Sequence, residues 1–453
     1  MARTPTMLLA FAALAATLLG AGGCRTRDGA TSMPASNGET IVQPVVANLP
    51  VAPESKRVDL AVPVFSDPTN VDNPLFPVSA QASVLLLGRV DDQPFRTEVT
   101  LLPETRIIEW QGQQVETLVS QYVAYLGGRI EEVAYDFYAQ DDAGAVWYFG
   151  EDVFNFRDGF IADTHGTWIV GKDGPAAMIM PADPQVGDVY RPENIPGFVF
   201  EEVTVESVGQ TLDGPLGPVE GGLVIEELHM DQTTESKSFG PGYGEFFTGG
   251  GGDVEALALA VPIDALGQPT PAELVTLESG AHDVFDAAQP MDWTAAQATS
   301  EELTAAWDTV KAGEVPNRLE PEMSRALSRL DAGIEARKAA KARQAAIDVA
   351  RGSLDLQLRH RPVTEIDLAR FDLWAAQLIV DASTGHVAAV NGDLLTLDYI
   401  RDRIRNALSA TDLARLNIEL EGLNGAVAGE DLAAAANSAT RLRGILSGLV
   451  SQR

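Results

Sequence analysis

One segment of the sequence places a histidine between two carboxylates at the spacing of a metal site. Glu227, His229 and Asp231 occupy alternate positions in a run with the composition of a β-strand. Because successive side chains of a strand point to opposite faces, these three side chains share one face. Imidazole and carboxylate groups are ligands that a divalent cation can use. The alternative is the exposed polar face of a half-buried strand, without a ligand.

Aromatic residues are concentrated in a second segment. Tyr135, Phe137, Trp147 and Phe149 lie in two alternating runs that are typical of one β-hairpin. Such rings can stack on a sugar or line an apolar cavity, and they can equally pack in a core. We therefore regard these four residues as candidate ligand-binding residues, with core packing as the alternative.

The only cysteine, Cys24, follows a positively charged start, an apolar run over residues 7–19 and small residues at 21–23. This pattern is typical of a bacterial lipoprotein signal peptide, in which the cysteine becomes the acylated first residue of the mature protein. The apolar run is shorter than the ~20 residues that span a bilayer. We expect residues 1–23 to be a signal peptide and Cys24 to carry palmitate or a similar acyl chain. The alternative is an ordinary cleaved secretory leader that contains a cysteine.

A lipid on Cys24 predicts export and attachment to the cell envelope. Arg25, rather than an acidic residue, follows the cysteine, so the sequence carries no acidic signal for retention at an inner membrane. We expect the protein at the outer membrane, if the organism has one, with the membrane as its partner through the lipid anchor.

The familiar catalytic motifs are missing from the sequence. It contains no GxSxG, HExxH, P-loop or CxxC pattern. We therefore expect no cofactor and no enzymatic activity. One enzymatic alternative stays open, a metal-dependent hydrolase in which carboxylates act together with His229 or His165.

The charge is strongly negative and unevenly distributed. The net charge is −33, and residues 1–290 contain 13 Lys and Arg against 42 Asp and Glu, whereas residues 291–453 contain 19 against 23. Such acidity argues against nucleic acid as a partner, because phosphates need cationic neighbours. It permits cations, cationic peptides or polyamines as ligands, or it keeps an exported protein soluble.

The chain divides into segments of different pattern. Residues 24–73 are rich in Pro, Ser and Asn, which predicts a flexible tether. Residues 74–263 contain alternating β-branched and aromatic runs, with turn signals such as Leu126-Gly127-Gly128-Arg129, which predict an antiparallel barrel, half-barrel or sandwich. Residues 264–298 are rich in Ala, Pro, Gln and Thr, which predicts a linker. Residues 299–450 show helical periodicity, which predicts a bundle of four to six helices.

The expected fold class is therefore multi-domain, with an all-β domain followed by an all-α helical bundle. Several segments of the β-region also resemble those of uncharacterised bacterial exported lipoproteins, over about residues 73–260. The resemblance rests on the segments Asn73–Pro77, Tyr135–Asp141, Val146–Asp152, Met180–Ala182, Val186–Arg191 and Phe239–Gly244. It implies an exported β-domain and no known activity.

These observations favour a membrane-anchored envelope lipoprotein with a non-enzymatic binding or structural role. In this hypothesis the helical domain contacts an envelope protein partner. A second hypothesis is a carrier that encloses an apolar ligand or lipid in the β-domain, which requires a cavity of several hundred Å³. The metal-dependent hydrolase is the third.

Overall fold

The computed structural model describes the backbone of residues 49–450 and the side chains of residues 49–446. The predicted signal peptide, Cys24 and the first half of the predicted tether lie outside the described residues. Within the described part, fourteen strands precede eight α-helices. This arrangement confirms the predicted order of a β-region followed by a helical region.

The fourteen strands form one antiparallel sheet. They are β1 (Ser83–Val90), β2 (Gln93–Trp110), β3 (Gln113–Leu126), β4 (Arg129–Gln140), β5 (Val146–Arg157), β6 (Phe160–Asp163), β7 (Trp168–Ile169), β8 (Ala177–Met180), β9 (Val189–Ile195), β10 (Val199–Gly214), β11 (Gly217–His229), β12 (Thr234–Gly240), β13 (Gly244–Gly250) and β14 (Asp253–Val261). Their hydrogen-bonded order is β6-β5-β4-β3-β2-β1-β14-β13-β12-β11-β10-β9, and β7 and β8 both pair with β5. Neighbouring strands therefore mostly follow one another along the chain.

Short turns join the long strands. Gly127 and Gly128 connect β3 to β4 with φ of 58° and 80°. Two successive positive φ angles are typical of the hairpin turns that match strand twist, and glycine adopts them without a steric penalty. The turn that the sequence predicts at this position is confirmed.

The sheet curls, so it has an inner and an outer face. Side chains from β1–β4 and from β13–β14 line one internal cavity, although four strands separate β4 from β13 in the sheet order. Side chains from β5 and from β9–β12 line a second internal space. The alternation of strands assigns residues such as Tyr122 to the inner face and its neighbour Val123 to the outer face.

Helices pack against the outer face. They are α1 (Ala272–Ala288), α2 (Trp293–Lys311), α3 (Leu319–Glu335), α4 (Ala339–Gln357), α5 (Val363–Thr384), α6 (Val387–Ile404), α7 (Ala410–Ala428) and α8 (Leu432–Val450). One core joins β1 and β14 to α1–α5, and another joins β3–β5 to α5–α8. No helix in the described range 49–450 is both long and apolar enough to cross a membrane.

Helix α1 and the start of α2 occupy the segment that we expected to be a linker. Leu274, Leu277, Ala281 and Val284 of α1 are buried at helical spacing. Flanking Pro, Gln and Thr residues obscure this short apolar stripe in the sequence. With α1 and α2 included, the described helical region is larger than the four to six helices that periodicity predicts.

The second half of the predicted tether packs on the sheet. Val71 is fully buried, and the ring of Phe65 meets those of Trp110 and Phe149 edge to face, with centroids 5.9 Å and 5.3 Å away. These apolar residues are isolated among prolines and polar residues, so no periodicity reveals them. Residues 49–73 are thus an ordered strap in the structure.

Buried ion pairs connect the sheet to the helices. Arg96 on β2 donates to both carboxylate oxygens of Asp355 on α4, at 2.7 Å and 2.8 Å. Arg370 on α5 donates to the same carboxylate at 3.0 Å. Arg403 on α6 donates to Glu98 on β2 at 2.8 Å. Breaking such a buried pair leaves an uncompensated charge, so these contacts fix the helices on the sheet.

Candidate functional site

The inner face of the sheet carries a set of acidic side chains that we call the acidic lining. All of its members are buried except Glu201, which is half-buried. Three pairs of them lie directly opposite one another on neighbouring strands, where like charges are destabilising. The acidic lining consists of Glu132, Asp136, Glu151, Glu193, Glu201, Glu227, Glu235, Glu245 and Glu255.

Part of the acidic lining is neutralised by two cationic side chains. The Nζ of Lys237 forms ion pairs with Glu227 and, at 3.1 Å, with Glu235. The ring nitrogens of His229 lie 3.5 Å from Glu201 and 3.6 Å from Glu235. Although burial opposes it, contact with these carboxylates raises the pKa of His229 to about 11. His229 is therefore protonated at neutral pH.

The predicted metal site lies in this neutralised part, with one difference in its members. Glu227, His229 and Glu235 each offer a ligand atom, and these atoms lie within 4.8 Å of one another. Asp231 lies in the exposed turn between β11 and β12, where its carboxylate accepts hydrogen bonds from Thr233 at 2.9 Å and 2.6 Å. A metal ion at this place would have to displace Lys237 and the proton of His229.

Glu235 is the residue that the sequence reasoning missed. It lies opposite Glu227 in the β11–β12 pairing. The turn that joins these strands places Glu235 beside Glu227 and leaves Asp231 in the connection. Locating the turn at residues 230–233 would have shown the pairing, because a hairpin register follows from its turn.

The other part of the acidic lining surrounds a cavity of about 50 Å³. This volume has room for a few water molecules. The cavity combines three carboxyl groups with four aromatic rings and several aliphatic side chains. It is lined by Phe76, Val78, Gln81, Val84, Leu86, Val99, Ser120, Tyr122, Asp136, Tyr138, Tyr243, Glu245 and Glu255.

Carboxyl groups at this cavity have raised pKa values, chiefly because burial disfavours their charged form. The pKa rises to about 7 for Asp136 and for Glu245, and to about 8 for Glu255. Asp136 accepts a hydrogen bond from the Tyr148 hydroxyl at 2.7 Å. Both carboxyl oxygens of Glu255 are buried without an ion pair or a hydrogen bond of ordinary geometry among the described residues, although the Thr97 hydroxyl is close enough to lower the pKa of the group.

Two further carboxyl groups lie between the cavity and the neutralised part. Glu151 and Glu193 are close enough that each affects the charge of the other, and burial raises the pKa of both well above the ordinary value. The two carboxyl groups interact with each other, and the indole of Trp168 lowers the pKa of Glu193, but no described cationic side chain forms an ion pair with either. Burial therefore favours the protonated form of both groups.

The predicted aromatic residues lie in several places. Tyr135 is on the outer face, where its hydroxyl donates to Asp402 on α6 at 2.9 Å. Phe137 is buried, and the guanidinium group of Arg106 lies 4.2 Å from its ring centre. Neither ring lines the 50 Å³ cavity. The residues of β4 that line it are Asp136 and Tyr138.

Trp147 and Phe149 pack in the core beneath the strap. The Nε1 of Trp147 donates to Asp141 at 2.9 Å, and Phe149 is fully buried against Phe65. The structure therefore does not bring the four predicted rings together at one concave surface. The rings that do meet at the cavity are Phe76, Tyr122, Tyr138 and Tyr243.

No protein-family model matches this chain, and no curated protein matches it.

Proposed function

We propose that this chain is a lipid-anchored protein of the cell envelope that binds a cationic ligand inside its curled sheet, without chemical turnover. The leader and Cys24 support the anchor. The acidic lining favours a ligand with a positive charge. The observation that carries the proposal is the fully buried carboxyl of Glu255, which has no ion-pair partner among the described residues and lines the same cavity as Asp136 and Glu245.

Buried ionisable groups without partners oppose folding. A cluster of buried carboxyl groups beside a cavity, with strongly perturbed pKa values and no cation among them, is typical of a functional site rather than of a stabilising core. A bound cation would supply the charge that the cavity lacks. The neutralised part of the acidic lining already has such charges in Lys237 and His229.

The two alternative functions have less support. A carrier of an apolar ligand needs several hundred Å³, whereas the cavity holds about 50 Å³ and contains three carboxyl groups. A metal-dependent hydrolase needs a neutral histidine as ligand or base. His229 is held protonated between carboxylates, and His165 packs against Phe198 with ring centroids 5.1 Å apart.

Thermal unfolding of the full-length protein in detergent tests the proposal. At pH 8 we expect at least one member of a panel of inorganic and organic cations to raise Tm by roughly 2–5 °C at saturation. Salts of the same ionic strength that differ from one another only in the anion should not change Tm in this way. Glu255→Gln should abolish the increase, whereas the matched variant Glu226→Gln, on the exposed side of β11, should retain it. The proposal is wrong if no cation stabilises the wild-type protein through Glu255.

A further inference from the structure

We propose that the cavity binds the primary ammonium group of an organic cation rather than a bare metal ion. This inference rests on the proposed function and names the chemical class of its ligand. It starts from the fully buried carboxyl of Glu255, whose two oxygens form no ion pair and no hydrogen bond of ordinary geometry with a described residue. The hydroxyl of Thr97 is the one described side-chain donor close enough to lower the pKa of this carboxyl group, and it carries no charge.

Carboxyl spacing favours an ammonium group. Oxygens that share one Ca²⁺ ion lie within about 4.8 Å of one another, because each metal–oxygen bond is ~2.4 Å long. Among the described residues, one set of three acidic or histidine side chains has ligand atoms within this limit, and it consists of Glu227, His229 and Glu235. The cavity carboxyls are more widely spaced. An ammonium group bonds oxygens at ~2.8 Å and can therefore reach a wider set.

Apolar walls around the cavity also favour an organic ligand. The side chains of Val84, Leu86 and Val99 face it, together with the ring of Phe76. A metal ion needs oxygen atoms or ordered water on every side. An alkylammonium ion instead presents methylene groups to aliphatic walls, and its charge is attracted to aromatic rings.

Lys237 shows how this interior receives an ammonium group. Its side chain is 3% exposed, and its Nζ lies between Glu227 and Glu235. Its charge also lowers the pKa of the nearby Glu245 against the effect of burial. A second ammonium group in the cavity would act in the same way on Glu255. Gln81 lines the cavity and is partly exposed to solvent, so it marks the side from which an alkyl chain could enter.

Calorimetric titration of the full-length protein in detergent at pH 8 tests this inference. The probes are n-butylammonium chloride, n-butanol as a neutral analogue and CaCl₂, at matched ionic strength. We expect saturable binding of n-butylammonium only, weakened at least tenfold by Glu255→Gln. Asp136→Asn should also weaken it, which keeps the test informative if one variant fails to fold. Glu226→Gln should bind like the wild type.

Other results would overturn the inference. Binding of n-butanol as tight as that of n-butylammonium would show that charge is not recognised. Binding of Ca²⁺ alone, lost in Glu255→Gln, would refute the ammonium group while leaving the proposed cation-binding function intact. No binding by any probe, together with no cation effect on Tm, would refute both. An added titration with N-acetyl-lysine methylamide distinguishes a lysine side chain from a small free amine as the source.

Discussion

At the scale of single residues, the interior of the sheet divides into a neutralised and an unneutralised part. Lys237 and His229 lie among Glu201, Glu227 and Glu235, so their charges largely cancel. At the cavity, no described cationic side chain lies within ion-pair distance of Glu255. No ion pair therefore offsets the cost of burying its charged form. The free chain therefore keeps these carboxyls protonated or accepts a loss of stability when they ionise.

This difference predicts how Glu255→Gln changes stability with pH. The pKa of Glu255 is raised to about 8 by burial and by the nearby Glu245, although the Thr97 hydroxyl and the charge of Lys237 oppose the rise. The folded state holds the proton of Glu255 more tightly than the unfolded state does. The contribution of this protonated carboxyl group to the free energy of unfolding is therefore fully present below about pH 4.5 and is lost as the pH rises through 8. We expect Glu255→Gln to match the wild type at pH 4.5 and to exceed its free energy of unfolding by about 2–4 kcal/mol at pH 8.

Urea denaturation at several pH values, without added ligand, measures this effect. Glu226→Gln serves as the control, because Glu226 is exposed on the other face of β11 and a surface substitution should change the free energy of unfolding by no more than about 0.5 kcal/mol. A Glu255→Gln protein that is equally or less stable than the wild type at pH 8 would contradict the prediction.

Lys237→Met should have the opposite consequence. It leaves Glu227 and Glu235 buried without their shared cation, and an unpaired buried charge costs about 3–5 kcal/mol of stability. We expect that loss in urea denaturation at pH 7, partly restored in the double variant Lys237→Met/Glu227→Gln. Lys172→Met, at an exposed ion pair, should change stability by less than about 1 kcal/mol. Equal losses in the two lysine variants would be inconsistent with this account.

At the scale of elements, alternation and periodicity predict most of the fold but not its interior. The alternation of Tyr135 and Asp136 predicts two faces of one strand, and no local pattern indicates which face the helices cover. Here the helices cover Tyr135 and the sheet encloses Asp136. Likewise, Glu235 joins Glu227 through the hairpin register, which depends on where the turn falls.

Helix α1 provides a test at this scale, because its segment has the composition of a linker. Leu277 is fully buried in the core that joins β1 and β14 to the helices. We expect Leu277→Ala to lower the free energy of unfolding by about 2–5 kcal/mol, since truncation of a buried leucine leaves a cavity. Val275→Ala, at an exposed position of the same helix, should cost less than about 1 kcal/mol. Equal effects of both changes in urea denaturation would argue against a structural role for α1.

At the scale of the whole molecule, the sheet and the helices share cores and buried ion pairs. The contacts of Arg96 with Asp355 and of Arg403 with Glu98 cross the boundary between the two regions. Composition and charge both change near residue 290, but these contacts depend on residues more than 250 positions apart in the chain. A sequence pattern reports such local changes and does not report which distant residues meet.

The strap extends this arrangement toward the N-terminus. Phe65 and Val71 are held in the core, so the strap keeps residue 49 close to the folded body. If Cys24 carries acyl chains, residues 25–48 are the chain that separates the membrane from this body. The ordered strap therefore shortens the predicted tether from residues 24–73 to the residues before 49.

The anchor itself leads to a prediction for Cys24→Ser. Cys24 precedes the strap by more than 20 residues, so its loss should leave the melting temperature of the folded body unchanged within about 1 °C. No helix over residues 49–450 is apolar and long enough to cross a membrane. Two acyl chains give stable attachment, at ~0.8 kcal/mol per buried CH₂, whereas one chain is marginal. We therefore expect the variant to leave the membrane fraction when wild-type and Cys24→Ser cells are fractionated side by side, with Ser32→Ala as a control that stays anchored. A Cys24→Ser protein that remains fully membrane-bound would show that another segment provides the attachment.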